Sequence, residues 1–597
     1  MSYPNLGIMF KTTCETYPEK TGMMFKKEGV YHSLTFREIQ TRTYQIAAGL
    51  KTLGAEPGDR VLLLSENRVE WAMSDYAILN LGALTVPIYP TLLPGHIEFI
   101  INNSEGKIII LSDKHQLSKI RQIQDKLPHL KHIIIIEEEA ENDLITWDEL
   151  AKRGEAYLKE NPGLIDNNLK SITRESLASI IYTSGTTGLP KGVMLTHGNF
   201  LSNIEAALEV IPISQEDIFL SFLPLSHIFE RMAGHYLPVH AGATIAYAES
   251  IETVAENLNE VHPTIMTSVP RFFEKVYGRV MDSLEEGSAL KRKLFFWAID
   301  VGKKANLYKQ KGQPFPGSLK IKYKIADKLV YSKLKARVGG RMRIFVSGGA
   351  PLSREIAEFF NAAGLVLLEG YGLTETSPVI AVNRLEKIKF GSVGPALPNV
   401  EVKIADDGEI LTRGPHVMQG YYKDEEATRS TIDEDGWLHT GDIGYLDNDG
   451  YLFITDRKKN IIVTSGGKNI APQPIENILI TSPFIEQAVV LGDKRKYCTA
   501  IIVPVMEKVK AFAADQNITY QDEDELLNHP AIQKLFRDQI DSLSVDLASY
   551  ETIKKFKLFK TPFTIESGEL TPSMKIKRDV VEKNYQAIIN EMYVEEE

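Results

Sequence analysis

Residues Tyr182–Gly192 read Tyr-Thr-Ser-Gly-Thr-Thr-Gly-Leu-Pro-Lys-Gly. Within this stretch Ser184, Thr186 and Thr187 supply hydroxyls, Gly185 and Gly188 leave the backbone N–H groups accessible, and Lys191 supplies an ammonium. A loop of that composition can wrap a polyphosphate. The apolar run before it, Leu177–Tyr182, leads into the loop and predicts a buried strand. A Walker A loop ends in Gly-Lys-Ser/Thr, whereas Lys191 stands between Pro190 and Gly192. The sequence therefore argues against a P-loop kinase or GTPase.

A second motif, Glu369-Gly370-Tyr371-Gly372-Leu373-Thr374-Glu375-Thr376, combines close backbone approach at its glycines with a flat aromatic face at Tyr371. Thr374 can bond a phosphate oxygen. Glu375 is a hard oxygen ligand suited to Mg²⁺ carried by ATP, with Thr183 as a second candidate ligand. Thr440-Gly441-Asp442 predicts a tight turn whose carboxylate can accept both hydroxyls of a ribose.

Taken in order, these motifs resemble the adenylate-forming enzymes: acyl-CoA synthetases, adenylation domains and luciferases. The resemblance runs from about Thr35 to Arg578. It implies that Gly348, Gly349 and Ala350 lie against adenine, that Asp442 and Arg457 hold the ribose, and that Lys459 is a hinge. It places the catalytic lysine in Leu570–Arg578. There Met574 stands where glycine is common, and counting from Pro572 favours Lys575 over Lys577. His227, in Leu-Pro-Leu-Ser-His-Ile-Phe, matches the segment lining the carboxylate and acyl pocket. Gly466, Gly467 and Lys468 match a loop that faces the thiol tunnel after the C-terminal domain swivels. Val269–Tyr277, Val-Pro-Arg-Phe-Phe-Glu-Lys-Val-Tyr, resembles the long-chain fatty acyl-CoA synthetases. The implied activity is ATP-dependent joining of a fatty acid to coenzyme A through an acyl-adenylate. The alternative is adenylation of another acid, or loading of a carrier protein acting in trans.

The chain has 597 residues, too many for one core. Helical spacing over Glu38–Leu53 and Glu70–Leu81 alternates with strand-like Arg60–Leu64 and Lys107–Leu111. This βα rhythm predicts an α/β fold with parallel, helix-covered sheets. From Gly391 to Tyr422 shorter strands and turns predict a small β-rich subdomain. The expected division is a large N-terminal domain, 1–457, and a small mobile α+β C-terminal domain, 458–597.

Hydrophobic residues make up 43% and charged residues 25%, a globular balance. A net charge of −11 argues against nucleic acid as a partner. Cys14 and Cys498 have neither metal-ligand nor disulfide spacing. The first twenty residues lack the pattern of a secretion signal, and no apolar run approaches the ~18 residues of a membrane span. A cytoplasmic location is expected. Against the overall charge, residues 291–343 hold 16 Lys and Arg to 2 Asp, a local net of +14, with aromatics interleaved. That segment fits either a solvated helical insertion or a surface for anionic lipid at the inner face of a membrane. Oligomeric state is not legible.

Overall fold

The computed structural model describes residues 2–137, 144–183, 190–311, 313–545, 547–564, 567–570 and 576–594. Among these, two eight-stranded sheets dominate the chain up to residue 421. In the first, Leu177–Thr183, Leu84–Ile88, Arg60–Leu64, Ile108–Leu111, His132–Ile135 and Ile145–Thr146 run parallel. Lys191–Thr196 and then Gly420–Tyr421 extend that sheet antiparallel at one edge. In the second, Leu367–Gly372, Ile344–Ser347, Ile265–Ser268, Ile218–Ser221, Thr244–Tyr247 and Thr21–Lys27 run parallel, between antiparallel edges at Val379–Val382 and Val30–Thr35. In the first sheet Arg60–Leu64 and Ile108–Leu111 are near-continuous Val, Ile and Leu because both of their faces are covered.

The expected helices form at Phe36–Thr52 and Val69–Asn80. The first starts at a capping box, in which Thr35 and Glu38 satisfy each other's backbone N–H groups. All but one residue of the second are buried, because it runs between the two sheets. That placement puts Asp75 in the core, where Arg231 meets it at 2.5 Å and both side chains are fully buried. The hydroxyls of Tyr236 and Thr85 donate to Asp75 at 2.6 and 2.7 Å. Arg231 also donates to Ser179 at 2.7 Å. Both Asp75 oxygens thus take two donors each and all three Arg231 nitrogens donate, the condition under which charges taken from water are tolerated.

A four-stranded antiparallel sheet, Glu401–Ile404, Glu409–Arg413, Leu438–Leu446 and Leu452–Arg457, forms the β-rich subdomain. It extends past the expected limit at Tyr422. Gly420–Tyr421 leaves it and joins the first large sheet. From Ile462 onward, buried side chains form two clusters of their own around the sheet Ile485–Leu491, Cys498–Pro504 and Ile553–Leu558. Arg271 donates to the Glu486 carbonyl at 3.1 Å, and Lys508 pairs with Asp282 at 2.5 Å, joining this unit to the helix Pro270–Glu285. Both cysteines are buried and unpaired. Among the described residues, no helix is long and apolar enough to cross a membrane.

Asp75→Ala should leave Arg231 charged, buried and unpaired, lowering stability by about 3–5 kcal/mol. Urea unfolding followed by circular dichroism measures it. A loss below about 1 kcal/mol would show that the pair does not hold the sheets together.

Candidate active site

A cleft of about 2730 Å³ runs between the second large sheet, the β-rich subdomain and the unit that follows. Glycine-rich turns at strand ends put most of the expected residues on its walls. Gly348, Gly349 and Ala350 follow the strand Ile344–Ser347, and Gly349 has φ +80°. Tyr371 and Gly372 end the strand Leu367–Gly372, and Thr374 and Glu375 form the short turn after it. A Cβ at Gly372 would lie 1.7 Å from the Pro378 carbonyl oxygen, so only glycine fits.

At one wall of the cleft, Asp442 is held from two sides. The Tyr371 hydroxyl donates to one carboxylate oxygen at 2.6 Å, and Arg457 Nε meets the other at 2.9 Å. Burial and the Asp442 charge keep the Tyr371 phenol well above its usual pKa, so it remains a donor. Thr440-Gly441-Asp442 is not the expected tight turn. It lies inside the strand Leu438–Leu446, where three residues, Thr440, Gly441 and Asp442, oppose the single residue Ile410, and Gly441 has φ +70°. The bulge re-aims Asp442 toward the cleft. Arg457 is the last residue of the strand Leu452–Arg457, in register with Asp442.

Ser184, Gly185, Thr186, Thr187 and Gly188 lie outside the described residues, as does Lys575. Their flanks are placed. Thr183 and Lys191 pair at the end of an antiparallel hairpin, and both line the cleft. Leu570 and Ile576, beside 571–575, pair across a bridge and also line it, as do Lys577 and Lys459. Gly466, Gly467 and Lys468 are not brought to the cleft. They form an exposed turn between Ile462–Val463 and Asn469–Ile470, with the Lys468 ammonium 5.6 Å from the Tyr550 ring centre.

Tyr421 was not expected from the sequence. Its hydroxyl donates to Glu375 at 2.8 Å, and its ring lies 5.1 Å from the Lys191 ammonium. It arrives by pairing Gly420–Tyr421 with Val193–Met194, more than two hundred residues earlier. No local pattern signals that. The second Glu375 oxygen takes no hydrogen bond among the described residues, and Thr183 ends its strand on the same cleft. One carboxylate oxygen and one hydroxyl suit Mg²⁺ that keeps its remaining ligands from phosphate and water. Among the described residues, no cluster of three or more His, Cys, Asp or Glu could hold a metal unaided.

His227 is half-buried at the start of the helix containing Arg231. Its Nδ1 accepts the Phe229 N–H at 3.1 Å, which makes Nε2 the hydrogen-bearing nitrogen of the neutral ring. Beyond it the cleft becomes apolar, lined by Phe219, Ile228, Met232, Ala233, Leu237 and Ile211.

The description AMP-binding enzyme matches residues 10–422, and AMP-binding enzyme C-terminal domain matches 459–597. The long-chain-fatty-acid–CoA ligase FadD15 of Mycobacterium bovis is 36% identical over 573 residues, covering 95% of this chain and 94% of that protein. The peroxisomal long chain acyl-CoA synthetase 7 of Arabidopsis thaliana is 33% identical over 99% of this chain and 87% of its own. The crystal structure of the anthranilate CoA ligase AuaEII in complex with anthranoyl-AMP shares the fold, with TM-score 0.74 at 20% identity, covering 99% and 98% of the two chains.

Glu369, just before the Gly-Tyr-Gly motif, is a second unexpected residue. Burial raises its carboxyl from the ordinary 4.5 to about 8, although the Leu352 and Gly391 N–H groups partly offset this. The folded state thus holds a proton that the unfolded chain releases above pH 4.5. Its contribution to stability is fully present below pH 4.5 and is lost as pH rises through about 8. Glu369→Gln keeps the acceptor without the charge. Between pH 5 and 9 the wild type should lose a few kcal/mol relative to this variant. Parallel pH profiles of the unfolding midpoint would refute the assignment.

Proposed function

The chain belongs to the AMP-binding enzyme family, and on that premise we propose that it joins a long-chain fatty acid to coenzyme A at the expense of ATP. The observation that carries this reading is a cleft with two unlike ends. One presents the Tyr371–Asp442–Arg457 set, and the other is an apolar arm beginning at His227. An acid with a long apolar tail and a nucleotide can thus meet at one place.

The chemistry follows from a leaving-group problem. A carboxylate is a poor acyl donor because oxide would have to leave. When a carboxylate oxygen attacks the α-phosphorus of ATP, the bond to the β-phosphate oxygen breaks and pyrophosphate departs. The acyl group now carries AMP, a good leaving group. Attack by the coenzyme A thiol at the acyl carbon then forms the thioester and releases AMP.

In our reading Asp442 takes the ribose hydroxyls, with Arg457 as the second ribose contact. Tyr371 and Gly348–Ala350 flank the base, and Thr374 binds phosphate. Residues 183–188 and Lys191 receive the polyphosphate. His227, as an Nε2–H donor, orients the substrate carboxylate and is no general base, since its Nδ1 already accepts from Phe229. Glu375, fixed by Tyr421, and Thr183 would hold Mg²⁺, which supplies charge neutralisation between two anionic reactants when bound. Lys575 would bridge the carboxylate and the α-phosphate, and its neighbours Leu570 and Ile576 on the cleft wall support that position.

We divide the chain into an adenylation domain, 1–457, and a swivelling domain, 458–597, with Lys459 at the hinge. The separate cores beyond Ile462 support the division. A swivel would carry Lys575 away and bring Gly466–Lys468 to the thiol path, consistent with their exposed position now. Because a long-chain acid partitions into lipid, contact between segment 291–343 and an anionic membrane would shorten its route.

AMP and pyrophosphate release from ATP and Mg²⁺ should peak with long-chain acids and be sustained only when coenzyme A is present. A burst of pyrophosphate without CoA-dependent turnover would indicate carrier loading instead. Lys575→Ala should lower pyrophosphate exchange by about a hundredfold or more while sparing thioester formation from preformed acyl-adenylate. Lys577→Ala should retain exchange. The reverse pattern would transfer the role to Lys577.

A further inference from the structure

Most of the described part of segment 291–343 is helical, as expected: Ala289–Gln310, Gly317–Ala326, the wider turn Asp327–Tyr331 and Ser332–Ala336. Its inner side packs on the second large sheet's outer core through Phe295, Ala298, Ile299, Ala326 and Tyr331. Its outer side is unlike an ordinary solvated face. Ile321, Ile325 and Leu329, at four-residue steps, are 63%, 46% and 40% exposed. Four-residue steps bring side chains into one row. Beside that row runs another of Lys320, Lys324 and Lys328, with Lys322 on the opposite flank. All four lysines are exposed and make no ion pair among the described residues. On the preceding helix Phe296 and Leu307 are also exposed, about three turns apart on one face, with Lys303 and Lys304 on the same side.

Exposed aliphatic side chains are ordinarily scattered singly and need no explanation. A row of them bordered by unpaired lysines has two components, and each suits a different layer of a lipid surface. The ammonium groups match anionic headgroups, and the aliphatic row matches the acyl boundary just beneath. A nucleic acid or other polyanion would use the lysines and leave the aliphatic row in water. The local net charge of +14 on a chain of −11 also orients the molecule, turning this face toward a negative surface and the rest away. The same helices reach the cleft, where Leu334, Ala336 and Arg337 line its wall.

We propose that the Ile321–Ile325–Leu329 row and the lysines beside it dock the protein on an anionic phospholipid bilayer, lying on it without crossing it. The docked face continues into the helix that walls the cleft. The proposal goes beyond the reaction and uses no catalytic side chain.

Co-sedimentation of the full chain with vesicles of equal phosphatidylglycerol and phosphatidylcholine tests it, against vesicles of phosphatidylcholine alone. Binding is expected to the anionic vesicles at about 0.1 M salt and to weaken strongly at about 1 M, where the Debye length falls from about 10 to about 3 Å. Replacing the four lysines (Lys320→Gln, Lys322→Gln, Lys324→Gln, Lys328→Gln) should weaken binding at least about tenfold. A second variant, Ile321→Ser with Ile325→Ser and Leu329→Ser, should weaken it by a similar factor, since it removes the inserted apolar area. AMP release with detergent-solubilised fatty acid should be unchanged in both variants, which separates failure of docking from failure of the reaction. Absence of binding to the anionic vesicles would overturn the proposal, as would equal binding to neutral ones. Unweakened binding by the serine variant, or retention on heparin without vesicle binding, would show a polyanion site instead.

Discussion

Two charged side chains without access to water, Asp75 and Arg231, fix how the two large sheets meet. The helix bearing Asp75 lies between the sheets, Ser179 belongs to the strand that leads to the phosphate-loop segment, and Arg231 follows His227 by one helical turn. Two parts of the cleft wall, the strand ending at Thr183 and the helix of Arg231, therefore refer to one knot of hydrogen bonds. Apolar side chains could fill the same space at similar stability. They would not dictate one relative placement, because apolar contacts are non-directional whereas a guanidinium fork is directional.

Asp442 is fixed by a comparable logic nearer the surface. A carboxylate that is to take two ribose hydroxyls, as we propose for Asp442, must not turn toward other donors. Tyr371 and Arg457 come from different sheets and hold one oxygen each. The strand bulge supplies the aim and the two partners supply the stiffness. Arg457 lies two residues before Lys459, so the chain leaves the nucleotide end at the place where we put the hinge. The Glu375–Tyr421 contact is the corresponding device at the phosphate end, and there the partner comes from the edge of the other large sheet.

The motifs were legible because their chemistry is local. Glycines, hydroxyls and a charged residue within one loop are the basis on which we propose a polyphosphate site there, and period and apolar runs placed the helices and strands within a residue or two. Long-range pairing was hidden. Tyr421 reaches Glu375 only because a two-residue strand adds to a distant sheet edge. Nothing in Gly-Tyr-Tyr-Lys announces that. The bulge at 440–442 was hidden for a related reason, since a Thr-Gly-Asp triplet reads as a turn and only the neighbouring strand's register reveals it as strand. Glu369 was hidden by burial, because a carboxyl at the end of an apolar strand looks like an ordinary solvated acid until its surroundings are known.

Gly372 and Gly394 carry a different kind of consequence. A Cβ at either would fall 1.7 to 2.2 Å from backbone atoms, of Pro378 in one case and Val382 in the other, and backbone cannot step aside as a side chain can. No residue other than glycine is tolerable at these positions without moving the backbone. The apolar arm is built differently, from Phe219, Ile228, Met232 and Leu237, where exchange by a methylene or two shifts shape by small increments. The two ends of the cleft are therefore unequally open to descent with modification. The nucleotide end is held to one solution, while the acyl end can drift through a lineage and acquire new acids one substitution at a time.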